Sequence, residues 1–167
     1  MRLKTQISLF NYSRSLILKL KPLELTELFF NVEMPLVFVL NAMELEGIKI
    51  NESSLKEFSV TLNKSLSKLK KAIFLLAEEE FNIDSPKQLG EILFGKMLLN
   101  EKAKKTKTGQ YKTDESTLNK LSGSHEIIDH ILQYRTEKKL LSTYVDALPK
   151  LISESSGRIH TNYMQTV

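Results

Sequence analysis

The chain has 167 residues, a hydrophobic fraction of 41% and a formal net charge of +4, which suits one globular domain, or one domain with part of another. It contains no cysteine, which excludes a disulfide framework and any thiolate zinc site. Its longest apolar run, residues 34–40, is far below the ~20 residues that span a bilayer. The composition therefore predicts a soluble cytoplasmic protein with no membrane partner.

The first 50 residues contain one predicted helix. Residues 1–22 are basic and mildly apolar without a clear period, which indicates a weak helix or a remnant of a preceding region. Residues 23–46 follow a helical period, with Pro35 in an early turn or at a kink, and Gly47 ends that helix. Residues 48–50 alternate and predict a short extended segment.

The longest predicted helix covers about residues 52–80, with Asn51 and Ser54 as competing N-caps. At about 1.5 Å per residue it is on the order of 40 Å long, so it needs a partner of similar length. Its apolar residues recur at steps of three and four, the pattern of an antiparallel helix pair. They are Leu55, Phe58, Leu62, Leu66, Leu69, Ile73 and Leu76.

Two short helices are predicted at the far end of this pair. Ser85 begins a capping box with Pro86 at the first helical position, and Gly95 ends the first short helix. Thr113 is predicted to cap the second, over residues 114–121. The stretch between the two short helices is a basic loop at the tip of the pair.

This basic loop, residues 96–112, concentrates the positive charge. It holds six lysines and one glutamate, so it carries +5 and leaves the rest of the chain near −1. A patch of one sign favours a polyanionic partner, although a solvated surface that only keeps the chain soluble gives the same pattern. The lysines are Lys96, Lys102, Lys104, Lys105, Lys107 and Lys112.

The partner helix is predicted at residues 125–152, after an N-cap at Ser124. One face is apolar and packs, while Arg135, Lys139 and Ser142 lie on another face at steps of four and three. Two cations and a hydroxyl on successive turns are what a helix along a phosphate backbone presents. A solvated Lys/Arg/Glu surface has the same spacing, so the spacing alone leaves that alternative open.

A polar turn at residues 153–157 and an alternating strand at residues 158–167 follow the second long helix. The predicted fold is mainly α. It consists of a long antiparallel helix pair, two short helices and a basic loop at the tip, and a short C-terminal β segment.

Five collinear blocks resemble the bacterial DNA polymerase I family, family A. They cover about residues 28–167 and read FNVEMPLVFVLNAMELEGIKIN, FNIDSPKQLGEILF, KKTKTGQYKTDE, LQYRTEKKLLSTYVDALPKLI and GRIHTNYMQTV. The resemblance implies that residues 1–46 are a remnant of the exonuclease side with a connecting helix. It likewise implies that residues 47–153 are the thumb subdomain, which holds the primer-template duplex across its minor groove, and that residues 154–167 begin the palm.

The resemblance also implies particular DNA-binding residues. Arg135 and Lys139 match the thumb-helix cations, residues 142–144 match an S-T-Y run beside the DNA backbone, and Thr166 falls among residues that match the start of the palm. At Lys112 the family usually has serine, so this chain replaces a hydroxyl with a cation that can still reach a phosphate. The full predicted set is Lys104, Lys105, Thr106, Lys107, Thr108, Gly109, Lys112, Thr113, Arg135, Lys139, Ser142, Thr143, Tyr144, His160, Thr161 and Gln165.

Catalytic groups of the family are expected outside this sequence. The palm carboxylates that hold two Mg²⁺ ions and the fingers cations that grip the nucleotide would lie beyond Val167. The resemblance therefore implies a polymerase fragment that binds duplex primer-template DNA in replication and repair synthesis, binds no cofactor itself and does not polymerise alone. Mg²⁺ belongs to the full polymerase, whose palm, fingers and exonuclease domain are the expected partners. The alternative is a helical protein–protein interaction module with a solubilising basic loop.

Overall fold

The computed structural model describes residue 15 and residues 17–165, which are mainly helical, as predicted. The chain divides into two compact units. The first combines Met1–Lys49 with Ile152–Val167, and the second is Ile50–Leu151. Predictions for residues 1–14, residue 16 and residues 166–167 lie outside the described residues.

The first unit is built on helix α1, Thr26–Glu46. A π-helical turn, Phe29–Glu33, precedes its main part, Met34–Glu46, in which Pro35 occupies the first turn. Proline has no N–H to donate and its ring crowds the carbonyl four residues back, so a local widening of the helix relieves the conflict without breaking the helix. Gly47 ends the helix as predicted, with a φ of +68° that favours glycine.

Helix α1 leaves much of its apolar surface exposed, including Phe38 at 73% and Leu45 at 72%. By length and composition alone, this 21-residue helix could cross a membrane. The buried core helix of a soluble protein and an N-terminal signal sequence pass the same test. The run at residues 34–40 is too short by itself, but the folded helix extends it on both sides, so the sequence argument from run length does not hold.

The predicted strand at residues 158–167 does not form within the described residues. Its sheet pairing there is a single antiparallel bridge between Ile48 and Ile159. Beyond the bridge the segment bonds to α1 instead, because the Tyr163 N–H donates to Glu44 Oε1 at 2.7 Å. The prediction of a C-terminal β segment is therefore wrong for residues 158–165.

Helix α2, Glu52–Ala77, opens the second unit. The Asn51 side chain accepts a hydrogen bond from the Ser54 N–H at 3.3 Å, so Asn51 is the N-cap. The helix ends slightly before the predicted position, at Glu78, whose φ is +58°.

Helix α5, Glu126–Leu140, lies near the end of the same unit. The N-cap is His125, whose ring Nδ1 accepts a backbone N–H at 3.2 Å, so the prediction of Ser124 is wrong by one residue. The predicted single helix to residue 152 is also wrong. A π-helical turn, Leu141–Val145, and a 3₁₀ turn, Leu148–Leu151, follow α5.

Helices α2 and α5 pack together in opposite directions. Leu62, early in α2, shares a buried cluster with Leu141, whereas Ile73, later in α2, shares the larger cluster with Ile131. Ile73 and Ile131 are both 0% exposed. Full burial of one such side chain contributes about 1.5–3 kcal/mol, so this seam is a main source of stability for the second unit.

Helix α3, Pro86–Gly90, begins after the predicted cap, because Ser85 Oγ accepts the Gln88 N–H at 3.4 Å. It continues as a π-helical turn over Glu91–Lys96. Gly95 lies inside that turn, so the prediction that Gly95 ends the helix is wrong.

Helix α4, Glu115–Asn119, is capped by Asp114, whose Oδ1 accepts the Thr117 N–H at 3.0 Å. The prediction of Thr113 as the cap is therefore wrong by one residue. Thr113 is instead a buried polar residue, 5% exposed.

Candidate nucleic-acid interface

The basic loop forms a small hairpin over residues 104–112. Lys105 and Tyr111 make an antiparallel bridge, and the Thr106 N–H donates to the Gln110 carbonyl at 2.7 Å. These bonds hold the second half of the basic loop in a defined shape, so the lysines of the hairpin project from an ordered backbone.

The hairpin turn depends on Gly109. Its N–H donates to the Thr106 carbonyl at 3.0 Å, and its φ is +81°, as expected for a three-residue hairpin loop that ends in a left-handed residue. The Thr106 and Thr108 hydroxyls lie 2.9 Å apart. The predicted K-T-K-T-G residues therefore share one exposed turn, with the Lys107 side chain between the two threonines in sequence.

An aromatic contact anchors the hairpin to the core. Tyr111 lies 5.5 Å from Phe94 between ring centroids, and Lys105 Nζ lies 4.6 Å from the Tyr111 ring centroid. A side chain at Gly90 would come within 2.8 Å of Tyr111 Cβ. The ammonium of Lys105 is thus held against the body of the unit. All predicted residues of the hairpin are exposed, namely Lys104, Lys105, Thr106, Lys107, Thr108, Gly109 and Lys112.

One hydrogen bond ties the end of the hairpin to helix α5. The guanidinium of Arg135 donates from Nη1 to the carbonyl of Thr113, the residue directly after Lys112. The two predicted cationic features, the hairpin and the α5 cations, are therefore adjacent at this point. Because Thr113 is buried, its side chain has little access to a ligand.

Ionisation of the groups around this bond is set by hydrogen bonds and burial. Hydrogen bonds from Ser116 and Thr117 lower the pKa of the Asp114 carboxyl from its usual 3.8 to about 2. Burial lowers the pKa of the Arg135 guanidinium below its usual value, against opposing contributions from Asp84 and Asp114. Arginine stays protonated in proteins, so a cation and a nearby anion coexist here at neutral pH.

Arg135 and Lys139 line one cleft of about 380 Å³ together with Tyr144, which is 50% exposed. Glu115 contributes an acid to the same cleft, so its formal charge is +1. The remaining lining residues are Leu132, Thr136 and Leu140. The cleft combines cations, a phenol and aliphatic surface, which suits a sugar-phosphate backbone better than a small anion.

The π-helical turn after α5 changes which residue follows Lys139 on this face. In an α-helix, residues three or four positions apart lie on the same face, whereas a π-helical turn increases that spacing by one residue. Tyr144 therefore lines the cleft, while Ser142 Oγ donates to the Lys138 carbonyl at 2.9 Å. Ser142 is exposed but is not among the residues that line the cleft with Arg135 and Lys139. Thr143 is exposed outside the residues that line the cleft.

The predicted residues of the first unit bond mainly to α1. His160 Nδ1 donates to the Glu44 carbonyl at 2.8 Å, and its Nε2 lies 2.7 Å from Ser156 Oγ. Gln165 Nε2 donates to the Glu33 carbonyl at 2.8 Å. Thr161 is exposed. His160 and Gln165 thus hold the C-terminal segment against α1 in this structure.

Sequence reasoning missed Glu115 and Thr136 as cleft residues. In the sequence, Thr136 directly follows Arg135, and Glu115 lies two residues after Thr113, the predicted cap. Such positions are too common to identify a site. Within residue 15 and residues 17–165, no three His, Asp or Glu side chains form a group that could hold a metal ion.

Comparison with known proteins identifies the family to which this chain belongs. The sequence profile of DNA polymerase family A matches residues 52–167. The POL domain of Pol1 from M. smegmatis, in a complex with DNA primer-template and dNTP, superposes with a TM-score of 0.76 at 30% identity and covers 95% of this chain and 28% of that one. The chain therefore belongs to DNA polymerase family A, as its sequence blocks predicted.

Bacterial DNA polymerase I proteins are among its similar relatives. The Synechocystis sp. protein is 50% identical over 145 residues, which is 86% of this chain and 15% of that protein. The Bacillus subtilis protein is 45% identical over 141 residues, which is 84% of this chain and 16% of that protein. This chain therefore spans 15 to 16% of the length of these two relatives.

Proposed function

We propose that residues 47–153 are the thumb of a family A DNA polymerase and hold the primer-template duplex through its phosphate backbone along the minor groove. Residues 1–46 then belong to the exonuclease side with its connecting helix, and residues 154–167 to the start of the palm. The family match and the DNA named in the M. smegmatis complex support this assignment. Such a role belongs in the cytoplasm at the nucleoid, during replication and repair synthesis.

The observation that carries the proposal is the bond between Arg135 and Thr113. It joins the end of the lysine hairpin to the cleft that Arg135 and Lys139 line, so cations from two distant parts of the sequence can contact one stretch of backbone. A duplex carries one phosphate charge per about 1.7 Å of its axis, so several cations within one small surface can be matched by phosphates at once.

Roles follow from the chemistry of each exposed group. Lys104, Lys107 and Lys112 contact phosphates as point charges, and the hydroxyls of Thr106 and Thr108 donate to phosphate oxygens. At the other end of the surface, the cleft residues follow the sugar-phosphate chain, with Ser142 and Thr143 at its edge. Thr161, which is exposed, contacts DNA where the palm begins, and His160 and Gln165 position this segment there through their bonds to α1.

Duplex binding at two salt concentrations tests the proposal. With the three hairpin lysines and the two α5 cations on phosphates, binding should weaken by about five-hundredfold between about 50 and 200 mM salt, and the sequence of the duplex should not matter. Replacing Arg135 and Lys139 with alanine should lower the logarithmic salt slope by about two. Fluorescence anisotropy with a labelled duplex measures both quantities.

Lys56 and Lys150, two exposed lysines outside this surface, provide a matched control when both are replaced with alanine. Since Arg135 also bonds within the protein, Lys139→Gln alone is the variant that leaves the described hydrogen bonds intact. Circular dichroism checks that helicity is kept. Equal affinity of the Arg135/Lys139 variant and the control would show that the assigned face is wrong.

The same proposal holds that this chain does not polymerise DNA by itself. The palm carboxylates that bind Mg²⁺ in the family are expected beyond Val167, so the metal would act only in the full polymerase. A primer-extension assay with Mg²⁺ and four nucleotides should give no product. Incorporation by the purified chain above the level of a mock preparation would overturn this part.

A second candidate function, a protein-interaction module, is favoured by one observation in the first unit. An apolar groove of about 650 Å³ is lined by residues that include Phe38, Met43, Ile48 and Tyr163. In the polymerase proposal, the remainder of the enzyme covers this groove. If the chain instead formed a stoichiometric protein complex and showed no salt-dependent duplex binding, the interaction module would be the better function.

A further inference from the structure

The outer face of α2 carries a second concentration of positive charge. Residues 58–77 contain Lys64, Lys68, Lys70 and Lys71 and no aspartate or glutamate. The net charge outside the basic loop is near −1 because acidic residues elsewhere in the chain cancel the charge of these lysines. A solvated helix surface ordinarily mixes both signs, so four lysines without an acid are unusual.

Lys64, Lys68 and Lys71 form a row, here called the lysine row, on the side of α2 away from α5. At about 100° per residue they lie roughly 160–220° from the buried stripe that contains Leu62 and Ile73. All three lysines are exposed. At about 1.5 Å per residue, their Cα atoms are spaced about 6 and 4.5 Å along the helix axis.

No member of the lysine row forms an ion pair among the described residues, although other lysines of the second unit do. Lys96 pairs with Glu79 at 2.8 Å, and Lys138 pairs with Asp84. Like charges three and four residues apart on a helix repel one another and destabilise it. The row is therefore unfavourable for α2 alone, and an external anion would relieve the repulsion.

We infer that the lysine row is a second nucleic-acid contact, which binds the backbone of a DNA segment other than the duplex held at the hairpin and cleft. The row can follow consecutive phosphates of one strand, which are separated by a few ångströms along the duplex axis. A helix that lies on an anionic membrane must insert an apolar face beside its cations. The apolar stripe of α2 is instead buried against α5. The outer face adds two exposed apolar side chains, Val60 and Leu75, to its lysines, which is too little apolar surface to insert and therefore favours DNA.

Counting short duplexes per chain tests the inference. A duplex of about 10 bp is one helical turn. Because the lysine row lies on the side of α2 away from α5, one such duplex should not contact both surfaces. At low salt the full 167-residue chain should bind two such duplexes, as measured by native mass spectrometry and sedimentation. Changing the three lysines of the row to glutamine should leave one duplex bound. Glutamine keeps a helix propensity close to that of lysine, so α2 should persist.

The matched control changes three other exposed lysines, Lys56, Lys120 and Lys150, to glutamine and removes the same charge. This control should still bind two duplexes. One duplex on the parent chain, or equal stoichiometry for the row variant and the control, would overturn the inference. So would a row variant that loses binding to phosphatidylserine vesicles while it still binds two duplexes.

The two proposed surfaces can fail separately. Replacing all five cations of the hairpin and cleft, Lys104, Lys107, Lys112, Arg135 and Lys139, with glutamine should also leave one duplex, now on the lysine row. If that variant still binds two duplexes while the row variant binds one, the hairpin and cleft proposal fails and the inference on the row stands.

Discussion

In the proposed interface, the Arg135 side chain combines a structural role with a ligand-binding role. A guanidinium has five N–H donors in a fixed planar fork, and the Thr113 carbonyl accepts from Nη1. Other donors of the fork can serve the cleft that Arg135 lines with Lys139. This explains how one residue can fix the end of the hairpin and also contact a phosphate.

Arg135→Lys should lower duplex affinity although it keeps the charge. A single ammonium can bond either the Thr113 carbonyl or a phosphate well, so one hydrogen bond worth about 1 kcal/mol is lost, which is roughly a fivefold weaker affinity. Lys139→Arg, which keeps an exposed cation on the same face, is the control and should bind as the parent does. Anisotropy titrations measure the difference, and equal affinities for both variants would refute the shared role.

Asp114 should make helix α4 sensitive to acid. Its pKa lies near 2 in the folded chain, below its usual 3.8, so its contribution is present above pH 3.8 and is lost as the pH falls through about 2. An asparagine side chain at this position would cap the helix without titrating. Asp114→Asn should therefore be less stable than the parent at about pH 6, and the difference should vanish near the folded pKa. Urea denaturation across pH measures this, and a constant difference would contradict it.

At the scale of elements, the seam between α2 and α5 should carry much of the stability. Ile73 is 0% exposed, so Ile73→Ala leaves a cavity and should cost about 2–5 kcal/mol. Leu75, two residues away, is 80% exposed, and Leu75→Ala should change the free energy of unfolding by less than about 0.5 kcal/mol. Chemical denaturation followed by circular dichroism gives both values. Similar losses in the two variants would mean that the seam is not packed as described.

Gly109 in the hairpin turn can be compared with Gly95, which lies in the π-helical turn after α3. Gly109 has a φ of +81°, whereas Gly95 lies in a helical turn with an ordinary φ, and neither position has an atom within 4 Å of an added Cβ. Gly109→Ala should cost about 1–2 kcal/mol of local conformational energy and weaken duplex binding. Gly95→Ala should be neutral or stabilise by up to about 1 kcal/mol. Hydrogen exchange of the hairpin amides measures the local stability, and anisotropy titrations measure the duplex affinity. Parent-like affinity of Gly109→Ala would argue against a DNA contact at the turn.

Sequence periodicity predicted α2 and most of its seam, because buried leucines and Ile73 repeat at helical spacing. Phe58, also predicted for the seam, is 42% exposed. Caps were harder, since adjacent residues compete: His125 replaced Ser124, and Asp114 replaced Thr113. The π-helical turns could not be predicted, because a π turn changes the register by one residue without a distinctive composition. That shift places Tyr144 in the cleft.

At the scale of the whole chain, the two units differ in how they bury apolar surface. Every buried residue of both core clusters lies in the second unit, between Leu62 and Val145. In the described part of the first unit, no residue is fully buried, and α1 exposes apolar side chains such as Phe38. Cooperative stability should therefore come from the second unit, since burial of apolar surface is the dominant favourable term in folding.

An isolated chain of residues 50–151 should fold and keep duplex binding. It retains both clusters, the hairpin, and the cleft, so its thermal midpoint should fall within about 5 °C of that of the full chain, a shift that corresponds to about 1 kcal/mol for a domain of this size. Ile73→Ala in the same shortened chain is the control that should unfold at a lower temperature. Circular dichroism melts and anisotropy titrations check both expectations. An unfolded shortened chain would mean that the first unit contributes stability that its exposed apolar surface does not explain. A folded shortened chain without affinity for duplex would mean that the DNA contacts lie in residues 154–165.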